Sequence, residues 1–270
     1  MRAHPPLILR QNLSTPETRA ISQAAMLTDV PLKVIGIESL IANETALIGG
    51  AMPVGSVEFV REAMRVAGIR EPDNLSYPRV LRHELRREVK LMRAGSVIGQ
   101  WFVKPERTKM FTGFVFDTMQ DPATLDAHDR EQYEAFMAMA PNDRVWVSEP
   151  VSFAAEWRHY VLDGVPIASA RYDSDGLDDV APPNPLWLAR LISKFSAAQG
   201  VAAYAIDVGR FESGELALVE VNDGWAVGLY GQSMQPRVYL DFLSARWVQL
   251  IATRGLRSGS TRTLNDTGCS

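Results

Sequence analysis

The stretch Tyr204-Ala205-Ile206-Asp207-Val208-Gly209-Arg210-Phe211-Glu212-Ser213-Gly214-Glu215-Leu216-Ala217-Leu218-Val219-Glu220-Val221-Asn222 reads as two apolar–polar alternating strands around a Ser-Gly turn. A two-residue turn at Ser213-Gly214 sets Asp207 directly opposite Glu220, which brings their Cβ atoms about 4.5–5.5 Å apart. Asn222 lies two residues past Glu220 and shares its sheet face. Ile206, Val208, Val219 and Val221 then point to the other face, as core. Opposed carboxylates on a sheet repel, and a divalent cation would offset the repulsion. Carboxylate and amide oxygens without sulfur or imidazole suit Mg2+, an ion that keeps waters and shares its sphere with substrate phosphates. The plain alternative, a half-exposed face that happens to carry two acids, stays open at this level.

Further hairpins surround this one. Glu156–Val161 and Val165–Arg171 flank Asp163-Gly164, a strong turn signal. Upstream, Trp101–Lys104, Phe114–Phe116 and Val145–Val147 read as strands, and Asp129–Met139, Pro185–Ala198 and Pro236–Thr253 as helices. Leu81, Leu85, Val89 and Met92 recur at helical spacing. Lys104 ends an apolar strand, and Lys109 follows it in a loop with Arg107, an arrangement that suits a polyphosphate and equally a solvated strand end. Residues 61–109 hold 12 Lys/Arg against 6 Asp/Glu, so a basic stretch ends at these lysines while the remainder is acidic.

These motifs together resemble the ATP-grasp superfamily. The pieces are Lys104-Pro105, Lys109 before Phe111-Thr112-Gly113, Ser148-Glu149-Pro150-Val151, Glu156-Trp157-Arg158, Asp207 and Glu220-Val221-Asn222-Asp223-Gly224. In detail they are similar to the clade named for one arginine and two lysines, over roughly residues 97–230. The resemblance implies an α/β (α+β) chain: a small N-terminal pre-ATP-grasp domain over 1–80, then an ATP-grasp domain over 81–253. The latter would comprise subdomains 81–148 and 149–253 clasping the nucleotide; separately, the Gly-, Ser-, Thr- and Arg-rich composition of 254–270 reads as a flexible tail.

The resemblance also implies roles. Asp207, Glu220 and Asn222 would hold Mg2+ against ATP; Lys104 and Lys109 would contact phosphate oxygens. Glu149, Pro150 and Val151 would form the hinge that reads the adenine edge, and Glu156 would accept from the ribose hydroxyls. Arg158, with its planar fork, would face the phosphates or an acyl phosphate, which makes Arg158 and Lys109 the catalytic candidates. Two features depart from the superfamily pattern. The Arg107-Thr108-Lys109-Met110 loop carries no glycine, and Ala205 stands where many of these ligases have an arginine, a place Arg158 would fill. The implied reaction is carboxylate–amine ligation through an acyl phosphate, with small-molecule or peptide carboxylate and amine substrates. A kinase acting on a hydroxyl and a nucleotide-binding module without turnover are the alternatives, and a homodimer is left open.

The N-terminal third shows a β-α-β rhythm. Leu7–Leu9, Leu32–Ile37 and Ala46–Ile48 read as strands, Thr15-Pro16-Glu17 as a helix start, and Ser56 as the cap of a helix reaching Ala67. Gly50–Ser56 reads as a capped loop that could face substrate, and Gly68–Pro78 as a linker. The chain has 270 residues, 46% apolar and 22% charged, with net charge −4, which excludes wholesale disorder and a nucleic-acid polyanion held by bulk charge. The one cysteine, Cys269, excludes an internal disulfide and a Cys-based zinc site. His4, His83, His128 and His159 show no metal-ligand spacing, and His159 should point away from Arg158. No Gly-x-Ser-x-Gly elbow, Walker loop or dinucleotide fingerprint is present. No apolar run is long enough for a membrane span, and no signal-peptide core is visible, so the cytoplasm is the expected compartment.

Overall fold

In the computed structural model, residues 4–107, 110–173, 180–231 and 233–254 are described. Contacts divide the chain into two compact units: residues up to Pro72 with those from Gln235 onward, and Asp73–Met234.

The first unit holds β1 (Ile8–Gln11), α1 (Pro16–Thr28), β2 (Leu32–Ile35), α2 (Glu44–Ile48), β3 (Met52–Val54) and α3 (Val57–Val66). Its sheet is parallel, in the order β2-β1-β3, with Ile8 and Leu9 of the central strand fully buried. A reciprocal cap starts α1: Thr15 Oγ1 accepts from Thr18 N at 3.3 Å and Thr18 Oγ1 from Thr15 N at 2.9 Å. Two sequence expectations change here. Ala46–Ile48 is helical, within α2, and the third strand is Met52–Val54, inside the segment read as a loop. That strand is three residues long with Pro53 at its centre, which an edge strand tolerates and a propensity reading rejects.

The second unit contains two four-stranded antiparallel sheets. One has β4 (Val89–Arg93), β5 (Gln100–Pro105), β6 (Phe114–Asp117) and β7 (Arg144–Ser148) in the order β4-β7-β5-β6, with α4 (Ala127–Met137) packed on β6. Phe111, Phe114, Phe116 and Phe136 form edge-to-face pairs in its core. The other sheet has β8 (Ala155–Leu162), β9 (Val165–Arg171), β10 (Ala203–Arg210) and β11 (Leu216–Asp223) in the order β11-β10-β8-β9. Its core buries Leu188, Leu191, Ile192 and Phe195 of α5 (Pro185–Gln199) with Ile206, Val208, Leu218 and Val221. Asp163 and Gly164 both take positive φ, 48° and 75°, as a two-residue Asp-Gly hairpin requires.

Leu81, Leu85, Val89 and Met92 do not share a helix: Arg79–Leu85 is a 3-10 turn and Val89–Arg93 is β4. β-branched Val89 and the short apolar run suit a strand as well as a helix. The stretch read as a linker packs in part: Leu75 and Tyr77 lie on the α5-side core, and Ser76 O accepts from Val221 N at 3.0 Å. The last helix, α6 (Pro236–Thr253), was expected in the second ATP-grasp subdomain; it groups with residues 1–72 and packs on α1. Sequence periodicity reports that a helix is amphipathic, not which element covers its apolar face. Of the expected tail, Arg254 bonds to Ile48 O at 3.0 Å, and the residues after it lie outside the described ones.

Candidate functional site

The β10–β11 hairpin sets Asp207 opposite Glu220, as its sequence predicts, by another route. The turn is longer than two residues: Phe211 N donates to Glu215 O at 2.9 Å and the ladder resumes at Arg210 opposite Leu216. That alone would slip the register by one residue. A β-bulge between the pairs Val208–Leu218 and Asp207–Glu220 leaves Val219 extra and restores it. Leu218 and Val221 therefore face the core, while consecutive Val219 and Glu220 both border a cavity. Val219, which alternation places in the core, lines the cavity instead.

The polar groups converge tightly. Asp207, 1% exposed, receives Arg158 Nε at 2.8 Å and Nη2 at 2.6 Å, a bidentate pair across β8 and β10. Asn222 Nδ2 donates to Asp207 Oδ2 at 2.9 Å and to Glu220 Oε1 at 3.1 Å. Lys104, at the end of β5, pairs with Glu220 Oε2. Two carboxylates are thus matched by two cations. Burial works against the Arg158 charge, yet the Asp207 hydrogen bonds and charge outweigh it and hold the guanidinium protonated. The rings of Tyr230 and Tyr172 flank Arg158, their centroids 4.8 Å and 5.8 Å from its Cζ.

Glu156 precedes Arg158 by two residues on β8, and its Oε2 accepts from Tyr172 Oη at 2.6 Å. Burial raises its pKa, the Tyr172 bond partly opposes this, and the nearby Asp207 and Asp173 charges add to the rise. Glu149, Pro150 and Val151 form the exposed exit of β7, with Glu149 Oε1 accepting from Glu88 N at 3.3 Å. Lys109 lies outside the described residues. His159 is buried away from Arg158, and burial lowers its pKa to about 4 although the Asp207 charge pulls the other way.

A cavity of about 200 Å3 joins the predicted Lys104, Val151, Glu156 and Glu220. Its remaining wall, absent from the sequence reading, includes Tyr77, Arg87, Phe102, Phe153 and Val219. Phe153 lies over Gly209, where a Cβ would come within 2.3 Å of its ring, a contact between residues 56 positions apart. A larger open groove of about 1180 Å3, between α5 and the β10–β11 turn, contains none of the converging polar groups, so size does not mark the site.

Among the described residues no cluster of three His, Cys, Asp or Glu side chains is placed to hold a metal. The oxygen set here is two carboxylates and an amide, linked through Asn222, and its chemistry fits Mg2+.

The sequence pattern of the ATP-grasp domain, R2K clade family 2, matches residues 85–241. The chain belongs to this family. Its fold is correspondingly that of ATP-grasp proteins. D-alanine–D-alanine ligase from Bacillus anthracis complexed with ATP aligns at TM-score 0.53 and 12% identity, over 94% of this chain and 100% of that one. N5-carboxyaminoimidazole synthase from Aspergillus clavatus, in complex with ADP and 5-aminoimidazole ribonucleotide, aligns at TM-score 0.51 and 10% identity, over 88% and 76%. No curated protein matches by sequence. No helix among the described residues is long and apolar enough to cross a bilayer.

Proposed function

We propose that this ATP-grasp protein is an ATP-dependent carboxylate–amine ligase that uses Mg2+ and forms an amide through an acyl phosphate, releasing ADP and phosphate. The observation that carries the reading is the convergence of Asp207, Glu220 and Asn222 with Lys104 and Arg158 in one hydrogen-bonded cluster, of which Lys104 and Glu220 line the cavity. The two nucleotide-bound neighbours, an amino-acid ligase and a synthase, lend support at the level of the fold.

Asp207, Glu220 and Asn222 would hold Mg2+, which supplies charge neutralisation to the phosphates. Lys104 and Arg158 would turn from the carboxylates they pair with to phosphate oxygens, Arg158 through its fork. Lys109 would join them. The exposed backbone of Glu149–Val151 would read the adenine edge, and Glu156 the ribose. Tyr77 and Phe153 would wall the base. None of these residues supplies a nucleophile. Rate enhancement would come from positioning and from preorganised positive charge.

The test is thermal stabilisation by ATP with Mg2+. Wild type is expected to gain several degrees, and Glu220→Ala to lose most of that gain while keeping its own melting point within a few degrees. Absence of a shift in wild type, or an unchanged shift in the variant, rejects the site. Incubation with ATP and a library of carboxylates and amines then separates chemistries. An amide product with ADP supports ligation; a phosphoester with ADP would make the protein a kinase.

A further inference from the structure

The backbone of β11 is bound at its bulge by a residue that no motif marks. Arg87 follows the Arg79–Leu85 turn and is half-buried. Its Nη1 donates to the carbonyl oxygens of Leu85 and Leu218, each 3.0 Å away, and its Nη2 to that of Val219 at 2.9 Å. Leu218 and Val219 span the β-bulge. A bulge takes backbone groups out of the ladder, and those groups need partners elsewhere when they are buried. A guanidinium fork presents several N–H groups in a fixed plane and can take neighbouring carbonyls together, which an ammonium cannot do in the same geometry.

The bulge decides where Glu220 points. The turn-side ladder pairs Val208 with Leu218, Gly209 with Ala217 and Arg210 with Leu216. Continued without interruption, it would set Val219 opposite Asp207 and Glu220 opposite Ile206, on the core face. A one-residue slip inverts every side chain in this way. β11 is at the edge of its sheet, and among the described residues no neighbouring strand holds its outer side. Arg87 binds that side just before Glu220, and Ser76 binds it just after, through Val221 N.

We propose that Arg87 is a positioning residue for the metal-binding carboxylates: by holding the Leu218–Val219 bulge it turns Glu220 toward Asp207 and keeps Val219 in the cavity wall. The role rests on the ligase reading for what Glu220 does once positioned. Arg87 itself borders the cavity between Tyr77 and Phe153, with its Cζ 6.0 Å from each ring centroid, while its Nη1 and Nη2 donate to protein carbonyls.

Full-length Arg87→Gln and Arg87→Lys test this by two readings. The first is amide hydrogen exchange over residues 216–223; the second is ATP affinity with and without Mg2+. Both variants are expected to exchange about tenfold faster in that segment, with the α5-side core unchanged. The Mg2+-dependent part of ATP affinity should fall on the order of tenfold or more, while metal-free ATP binding changes much less. Full rescue by lysine would mean that charge matters and not the fork, and overturns the proposal. Unchanged exchange, or unchanged Mg2+ dependence, does the same. Loss of cooperative folding in both variants also overturns it, because Arg87 would then be a general stability residue. A wild type without Mg2+-dependent ATP binding overturns the ligase reading and this role together, whereas variants that match a binding wild type overturn this role alone.

Discussion

Asp207 and Arg158 show how much of a polar site a short spacing can encode. The alternation of β8 already sets Glu156 and Arg158 on one face, because side chains repeat every second residue along a strand. What the spacing leaves out is that Arg158 and Asp207 pair directly, an arrangement that needs β8 beside β10. His159, on the opposite face, gives a residue-scale prediction. It is buried, neutral, and without a hydrogen-bond partner for Nε2 among the described residues. Its pKa of about 4 lies below the unfolded value of about 6.5, so the unfolded chain takes up the proton first. Stability should therefore fall as pH drops from about 6.5, level off below about 4, and lose on the order of 3 kcal/mol across that window. Denaturant melts of wild type and His159→Leu over that range check it: the variant should lack this part of the slope.

At the scale of elements, the β10–β11 hairpin reaches its predicted pairing through two opposing departures, the longer turn and the bulge. Strand alternation could forecast the pair Asp207–Glu220. It could not forecast Val219 in the cavity wall, because bulges arise from the competition of turn geometry with core packing and leave little mark in composition. Gly209 tests this element. Its missing side chain admits the Phe153 ring, and a Cβ would lie 2.3 Å from that ring. Gly209→Ala is expected to cost about 1–3 kcal/mol from overpacking, and to weaken ATP binding because Phe153 must move into the cavity. Urea unfolding and calorimetric titration with Mg-ATP give the two numbers. A full-affinity variant would show that Phe153 does not border the nucleotide.

At the scale of the whole molecule, the unit holding the N-terminal sheet is closed by the chain's last described helix, α6. Each unit has its own core, so one substitution should act on one transition. Phe195→Ala lies in the α5-side core of the second unit and Phe242→Ala on α6 of the first; both side chains are fully buried. Each is expected to cost about 3–5 kcal/mol. Scanning calorimetry should show Phe195→Ala lowering one transition and Phe242→Ala lowering another, with the effects adding in the double variant. A single transition shifted equally by both would show that the two units unfold together.

Local patterning alone determined a good deal about this chain. Alternation, turn residues and caps are short-range quantities, and they identified the hairpins, the capped helices and the facing carboxylates Asp207 and Glu220. They failed where the deciding partner is distant in sequence. Pro53 sits in a strand because β1 pairs with it, α6 belongs with α1 because of where its apolar face is covered, and Tyr77 and Arg87 reach the site from a stretch that reads as a linker and a helix. Arg87 donates one hydrogen bond to the carbonyl of Leu218 and one to that of Val219, more than 130 positions away, and such contacts follow from packing and not from period. The sequence thus determined which polar side chains face one another across the hairpin, and the tertiary structure decided which residues hold them in place.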